Sequence, residues 1–255
     1  MEYLGNSHEG TGFLACSFDL YLKANCATIG ECIYFNTLIR CETGMRVSKR
    51  TTEILKRLDD VYGTDQICYL DHENDWQFLI AVILSAQCTD ARVNIVTKDL
   101  FKKYDTIEKM AGADLEELEQ DIHSVGFYHN KAKNIILCMR RLLTEYDGKV
   151  PSEMDDLLTL AGVGRKTANV IRGNIYNDPS VVVDTHVKRI SKRLGLTKET
   201  DPEKVEYDLM KKLPKENWIR YNMQIITLGR TICTARSPKC AECFLNDLCK
   251  ADDKR

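Results

Sequence analysis

Four cysteines crowd into seventeen residues near the end of the chain. Their spacing is Cys233-x6-Cys240-x2-Cys243-x5-Cys249, so one short loop can bring four thiolates around a single centre. Sulfur ligands select zinc, copper(I) or an iron–sulfur cluster. The spacing alone does not decide between zinc and a [4Fe–4S] cluster. The other seven cysteines are scattered and show no disulfide framework.

A glycine-rich turn followed by basic residues is a candidate anion site. Gly162 and Gly164 flank Val163, and a helix is predicted to begin directly afterwards with Arg165 and Lys166. Glycine lets the backbone turn sharply, and the N–H groups at a helix N-terminus point toward an anion. A Gly-Val-Gly sequence alone is more often a plain connector. With the basic residues attached, we interpret it as a hairpin that binds a DNA phosphate or takes part in catalysis.

Two further polar residues stand at predicted helix ends. Asp184 precedes a basic helix that carries Lys188 and Arg189, and helix capping alone would explain an aspartate there. Gln87 directly follows the most apolar helix of the chain. Taken separately, Gln87 only marks the place where this helix ends and a turn begins.

These residues must be positioned by helices, because the hydrophobic pattern contains no strands of useful length. Outside the predicted helices, Val181 to Val183 form the one run of three β-branched residues, and three residues make at most a short extended segment. An apolar stripe begins at Ile54 and includes Leu55, Leu58 and Val61. The pattern predicts an all-α fold with further helices at 76–87, 90–104, 115–122, 130–146, 152–160, 165–175, 185–194, 202–212 and 218–232.

The first 44 residues differ from the rest of the chain. They lack helical or strand periodicity and hold five acidic and two basic residues, a net charge of −3 that leaves +1 on residues 45–255. We interpret residues 1–44 as a disordered or loosely attached N-terminal extension. No apolar run approaches the roughly 18 residues of a membrane span, and Glu2 stands where a secretory signal would carry basic residues. We therefore expect a soluble cytoplasmic protein.

Together and in this order, the motifs resemble the endonuclease III branch of the helix-hairpin-helix DNA glycosylase superfamily. The resemblance covers about residues 46–250 and includes four segments besides the cysteine spacing. They are Ser85-Ala-Gln-x-Thr-Asp, Gly126-Phe-Tyr-x-x-Lys-Ala, Gly162-Val-Gly-Arg-Lys-Thr-Ala and Val183-Asp-Thr-His. The resemblance implies a six-helix barrel at 68–178 and an iron–sulfur lobe built from 45–67 and 179–255. It also implies that Cys233, Cys240, Cys243 and Cys249 hold a [4Fe–4S] cluster.

The activity that the resemblance implies is DNA base-excision repair. The enzyme would remove oxidised pyrimidines from duplex DNA and cleave abasic sites by β-elimination. Lys166 would be the nucleophile, and Asp184 its carboxylate partner. The attacking amine must be neutral, which burial or a neighbouring cation such as Arg165 would favour.

DNA contacts follow from the same resemblance. Gln87 would fill the space that the extruded base vacates. The hairpin from Gly162 to Arg165, together with Lys188 and Arg189, would hold the phosphate backbone. We expect a monomer that is associated with the nucleoid while it acts on DNA.

Two other interpretations of the sequence stay open. One is an adenine-specific glycosylase of the same superfamily. It is disfavoured because that branch lacks a lysine at the position of Lys166 and carries an extra C-terminal domain, whereas this sequence ends six residues after Cys249. A non-catalytic DNA-binding protein is disfavoured because Lys166 and Asp184 occur together.

Two positions and one segment depart from the family pattern. Ala161 stands where the family often has proline, Cys88 replaces a smaller residue, and the 44-residue extension has no counterpart in the pattern.

Overall fold

The computed structural model describes residues 47–65 and 68–254, and every regular element in this part of the chain is a helix. No strand occurs in this part of the chain, so the all-α prediction is confirmed for it. The proposed extension at 1–44 lies outside the described residues. The helices are α1 (Lys49–Tyr62), α2 (Asp75–Ser85), α3 (Asp90–Lys103), α4 (Ile107–Ala111), α5 (Leu115–Asp121), α6 (Tyr128–Glu145), α7 (Met154–Thr159), α8 (Arg165–Ile175), α9 (Thr185–Arg193), α10 (Pro202–Met210) and α11 (Trp218–Thr231), with 3-10 turns at Lys215–Asn217 and Cys240–Glu242.

Side-chain caps fix where several helices begin. Ser48 accepts a hydrogen bond from the backbone N–H of Thr51 at the start of α1, and Asn74 accepts one from Gln77 at the start of α2. Such caps satisfy backbone donors that have no partner inside the helix. The predicted helix starts were therefore close to the observed ones wherever a capping residue preceded an apolar run.

Two features of the helices differ from the sequence prediction. Helix α4 was not predicted, because five residues are too few to show a 3.6-residue period. Val61 falls on the predicted apolar stripe of α1 but is 52% exposed. The stripe is thus buried only at Ile54, Leu55 and Leu58.

The buried apolar side chains form two clusters. One is centred on α2, whose residues 77–84 are all buried, and it includes side chains from α3 to α8. This confirms that α2 is apolar on every side because it is central. The other cluster is formed by α1, α9, α10 and α11 with Leu245 of the cysteine loop. The predicted domains at 68–178 and at 45–67 with 179–255 stay a prediction.

Helix α1 is fastened to the segment that contains the four cysteines. The guanidinium of Arg50 donates hydrogen bonds to the carbonyl oxygens of Leu194 and Leu248. Arg57 donates to the carbonyl of Phe244 at 2.9 Å and to the carboxylate of Asp247 at 2.6 Å. Two arginines on one helix therefore hold the start of the described chain against its end.

None of the helices among the described residues combines the length and the apolar character needed to cross a lipid bilayer.

Candidate active site and cysteine centre

Lys166 and Asp184 line the same cavity, which has a volume of about 230 Å³. Lys166 is the second residue of α8, and its side chain is exposed. Asp184 caps α9, where its Oδ1 accepts a hydrogen bond of 2.7 Å from the backbone N–H of Val187. The other carboxylate oxygen is not needed for the cap. The structure thus brings an amine and a carboxylate from two helix N-termini to one cavity.

The extended segment that leads into Asp184 is held by three buried polar side chains. Asn169 of α8 donates to the carbonyl of Val181 at 3.3 Å, and the hydroxyl of Ser180 donates to the carbonyl of Asn169 at 2.7 Å. Asn222 of α11 donates to the carbonyl of Val182 at 3.1 Å. Because buried backbone carbonyls need partners, these bonds fix the path of the chain.

Sequence analysis missed all three of these side chains. For Asn169 and Asn222 the only signal in the sequence was an isolated polar residue among the apolar residues of a helix, and Ser180 gave no such signal because it lies in the extended segment. Asn169, Ser180 and Asn222 also line the cavity.

The two glycines of the hairpin have different roles. Gly162 has a φ of +80°, and a Cβ there would lie 3.1 Å from the Cβ of Asn134. Gly164 has ordinary extended backbone, with open space where a Cβ would be. No side chain caps the N-terminus of α8. The first-turn N–H groups of α8 are therefore directed outward beside an uncrowded glycine.

Arg165 is turned toward α10. Its guanidinium makes two hydrogen bonds of 2.9 Å to the carboxylate of Glu206 and one of 3.0 Å to the hydroxyl of Tyr207. The carboxylate side chain is only 8% exposed, and its hydrogen bonds raise the pKa of Arg165 further above its ordinary value. The charge of Arg165 is thus compensated by Glu206, while Lys166 is exposed.

His186 lies between the cavity and the cysteine loop. Burial lowers the pKa of His186; Asp184 opposes this shift, whereas the charges of Arg189, Arg230 and Lys166 add to it. The imidazole is therefore neutral at physiological pH, and its Nδ1 can accept from the guanidinium of Arg189 at 3.5 Å.

The two basic residues predicted on α9 are placed differently. Arg189 donates at 2.7 Å to the carbonyl of Cys233, so its guanidinium faces the cysteine loop. Lys188 is partly exposed.

Four exposed non-glycine residues of the described chain have left-handed backbone; Asp147 and Asn177 follow the ends of α6 and α8, and the other two are Gln87 and Phe127. Gln87 has a φ of 55°, and Phe127, at the N-cap of α6, has a φ of 60° and is 63% exposed. Non-glycine residues adopt this conformation at a cost of roughly 1–2 kcal/mol, and such strain clusters at functional sites. Gln87 was selected from the sequence. Phe127 was not, although it stands in the Gly-Phe-Tyr turn.

The four cysteines surround a small space near the second apolar cluster. Together with Arg193, they line a cavity of about 20 Å³, and none of them forms a disulfide. Within the described residues, no three His, Cys, Asp or Glu side chains converge closely enough to hold one metal ion. A zinc site would need every sulfur about 2.3 Å from a single point. The four thiols share one cavity, and four cysteine thiolates are the ligand set of a [4Fe–4S] cluster.

Two arginines of α9 face these sulfurs. Arg193 places its Nη2 3.9 Å from the sulfur of Cys240, and its buried Nε has no acceptor among the described residues. Arg189 places its Nη1 3.6 Å from the sulfur of Cys233. N–H donors beside sulfur ligands stabilise anionic iron–sulfur clusters. A sulfide of an iron–sulfur cluster would give the buried Nε–H of Arg193 a hydrogen-bond acceptor.

Comparisons with known proteins agree with this geometry. Residues 80–215 match the model of the HhH-GPD superfamily of base excision DNA repair proteins, and residues 233–249 match the iron-sulfur binding domain of endonuclease III. Endonuclease III of Synechocystis sp. and that of Bacillus subtilis are each 50% identical over 202 residues, 79% of this chain and 92% of the relative.

A solved structure of a trapped covalent intermediate of endonuclease III with DNA is also similar. It superposes with a TM-score of 0.74 at 46% identity, and the match covers 78% of this chain and 95% of that one. The comparisons confirm the predicted helix-hairpin-helix glycosylase fold and the [4Fe–4S] cofactor.

The hairpin glycines yield a first prediction. Gly162→Ala should lower the free energy of unfolding by about 2 kcal/mol, because it combines a positive φ with a close contact. Gly164→Ala should change it by less than about 0.5 kcal/mol, but should weaken binding to abasic DNA because a methyl group obstructs the approach of a phosphate. Urea unfolding and fluorescence anisotropy measure the two effects. Equal destabilisation by both variants would contradict this assignment.

The cysteine centre yields a second prediction. Protein purified without oxygen should contain about four irons per chain, with matching sulfide. Cys240→Ser should lose iron and weaken DNA binding, because the loop loses a cross-link. Iron and sulfide assays with far-ultraviolet circular dichroism are the measurements. Stoichiometric zinc without iron would show that the centre is assigned wrongly.

Proposed function

Because this chain belongs to the endonuclease III family and is a base-excision DNA glycosylase and abasic-site lyase, we propose that Lys166 is its nucleophile and Asp184 its carboxylate partner. The observation that carries the proposal is that both residues line one cavity although they lie on different helices. We further propose that its substrates are DNA duplexes that contain oxidised pyrimidines or abasic sites.

Lys166 forms the covalent bond in this mechanism. Its neutral amine attacks C1′ of the damaged nucleotide while the bond from C1′ to the base breaks, and the base leaves with the bonding electrons and takes up a proton. The sugar ring then opens to a Schiff base. Because the iminium acidifies the hydrogens on C2′, loss of one of them expels the 3′ phosphate by β-elimination. Water finally hydrolyses the Schiff base and releases Lys166.

Asp184 stabilises charge and moves protons. A carboxylate beside the sugar favours the positive charge that develops at C1′ as the base departs, and it can carry protons between Lys166 and the sugar. The Oδ1 contact to the N–H of Val187 fixes the direction of the carboxylate. Lys166 is exposed, so bound DNA itself would exclude water from its amine.

Phosphate binding rests first on the backbone. The uncapped N-terminus of α8, beside Gly162, Val163 and Gly164, is suited to a phosphate of the damaged strand. Lys188 adds a mobile positive charge. As direct DNA contacts, Arg165 and Arg189 stay predictions, because the first is bonded to Glu206 and the second to Cys233.

Extrusion of the damaged base leaves a gap in the duplex, which costs a few kcal/mol. Gln87 offers hydrogen bonds to the orphaned partner base, and the exposed ring of Phe127 can enter the stack as an apolar wedge. The backbone segments that carry these two residues lie near each other, since a Cβ on Gly126 would lie 3.8 Å from the carbonyl oxygen of Gln87.

The cluster has a structural part in this proposal. Cys233, Cys240, Cys243 and Cys249 would hold it, and when bound it supplies a cross-link for the loop and one-electron redox chemistry. We further propose that the enzyme acts as a monomer on chromosomal DNA in the cytoplasm.

Replacing the nucleophile and its partner tests the proposal. With Lys166→Gln, borohydride trapping on abasic DNA and specific strand cleavage should fall to background, whereas binding should persist because the backbone contacts remain. Asp184→Asn retains the helix cap, so binding should again persist while base release slows by about 10²-fold. Single-turnover kinetics with anisotropy separate these effects.

Lys102→Gln is the matched control, since Lys102 is a lysine whose side chain is 68% exposed on α3; it should trap like the parent. Circular dichroism checks that each variant is folded. Parental trapping by Lys166→Gln would place the nucleophile elsewhere and overturn the mechanism.

A further inference from the structure

Lys131 is a lysine buried in an apolar core. It is 5% exposed, and its Nζ donates hydrogen bonds of 2.9 Å to the carbonyl of Leu84 and 2.7 Å to the carbonyl of Ala86. Burial lowers the pKa of Lys131, because a charged ammonium is less stable away from water than the neutral amine. Lysine is rarely buried unless it is paired. The catalytic mechanism uses neither its charge nor its amine.

The two carbonyls belong to the end of α2. The C-terminus of a helix carries unpaired carbonyls and partial negative charge, so a cation stabilises it. The next residue is Gln87, which holds a left-handed conformation that glycine ordinarily supplies at a helix end. The ammonium thus fixes the backbone on which the side chain of Gln87 stands.

Lys131 also lies one helical turn from Phe127, which has left-handed backbone like Gln87. Its backbone N–H donates to the carbonyl of Phe127 at 3.1 Å, in the first turn of α6. One residue is therefore bonded through its side chain to the turn of Gln87 and through its backbone to the turn of Phe127. Gln87 and Phe127 both have exposed side chains, and a Cβ added to Gly126, the residue before Phe127, would lie 3.8 Å from the carbonyl oxygen of Gln87.

We propose that Lys131 is a positioning residue for lesion recognition, whose ammonium fixes Gln87 relative to Phe127 so that both side chains enter the duplex as one preformed probe. The inference rests on the proposed function, because it assigns no chemistry to Lys131 itself. Preorganisation matters here, since ordering a loose turn on binding would reduce affinity. A methionine would fill a similar volume but would leave the two carbonyls without their cation.

The test compares two substrates with the full-length, cluster-loaded protein. One set is duplex DNA with an oxidised pyrimidine opposite each of the four bases. The other is a single-stranded oligonucleotide with an abasic site, which has no partner base to probe. Lys131→Met should lower kcat/KM on the duplexes roughly 10- to 100-fold. It should also reduce the differences in kcat/KM among the four duplexes, which differ only in the base opposite the lesion. Borohydride trapping on the single strand should continue at the parental rate.

The control is Lys133→Met, which removes an exposed charge from the same helix and should keep the parental preference. Lys131→Gln retains N–H donors without the charge and should give a smaller change in the same direction. It carries the test if Lys131→Met does not fold, as judged by circular dichroism and by the visible absorbance of the cluster.

Three outcomes would be decisive against the inference. A folded variant at Lys131 that keeps the parental opposite-base preference would overturn it. An equal loss on duplex and single strand would also overturn it, because the residue would then serve stability or chemistry in general. Failure of the parent protein to trap abasic DNA would instead overturn the proposed function, and this inference with it.

Discussion

The site depends on one constraint: an amine and a carboxylate that belong to different hydrophobic clusters must face the same cavity. Lys166 begins a helix of the cluster around α2, whereas Asp184 begins a helix of the other cluster. Apolar packing is non-directional and does not by itself align two helix ends. Alignment comes from directional bonds. Asn169 and Asn222 hold the extended segment before Asp184 from both sides, and the pair of Arg165 with Glu206 holds the start of α8 against α10.

The same constraint explains why a metal centre is part of the enzyme. Helix α9 has only nine residues. Asp184 caps its first turn, and Arg189 and Arg193 direct its later turns toward the cysteine loop. In that loop Leu245 is fully buried, whereas Phe244 and Leu248 are only partly buried against the second apolar cluster. A cluster held by the four thiolates, together with Arg50 and Arg57 of α1, would give α9 a fixed support at the end opposite the carboxylate.

Much of this architecture could be predicted from local sequence. Helix α2 was evident from its unbroken apolar run, and Asp184 was identified as a cap from its position before a basic helix. The partners of charged residues could not be predicted in this way, because those contacts join positions far apart in the chain. Arg165 was expected beside Lys166, yet Glu206, 41 residues later, binds its guanidinium. In the sequence, Lys131 is one of several basic residues of α6, and only the packing of α6 on α2 reveals that it is buried.

Peptide mapping of the borohydride-reduced adduct between the full-length protein and abasic DNA tests the central claim most directly. After digestion with protease and nuclease, mass spectrometry locates the lysine that carries the sugar remnant. The account predicts a single modified peptide, with the added mass on Lys166 and none on Lys131 or Lys188. A remnant on another lysine, or on the terminal amine, would contradict the claim that α8 and α9 bring the reacting amine and its carboxylate together.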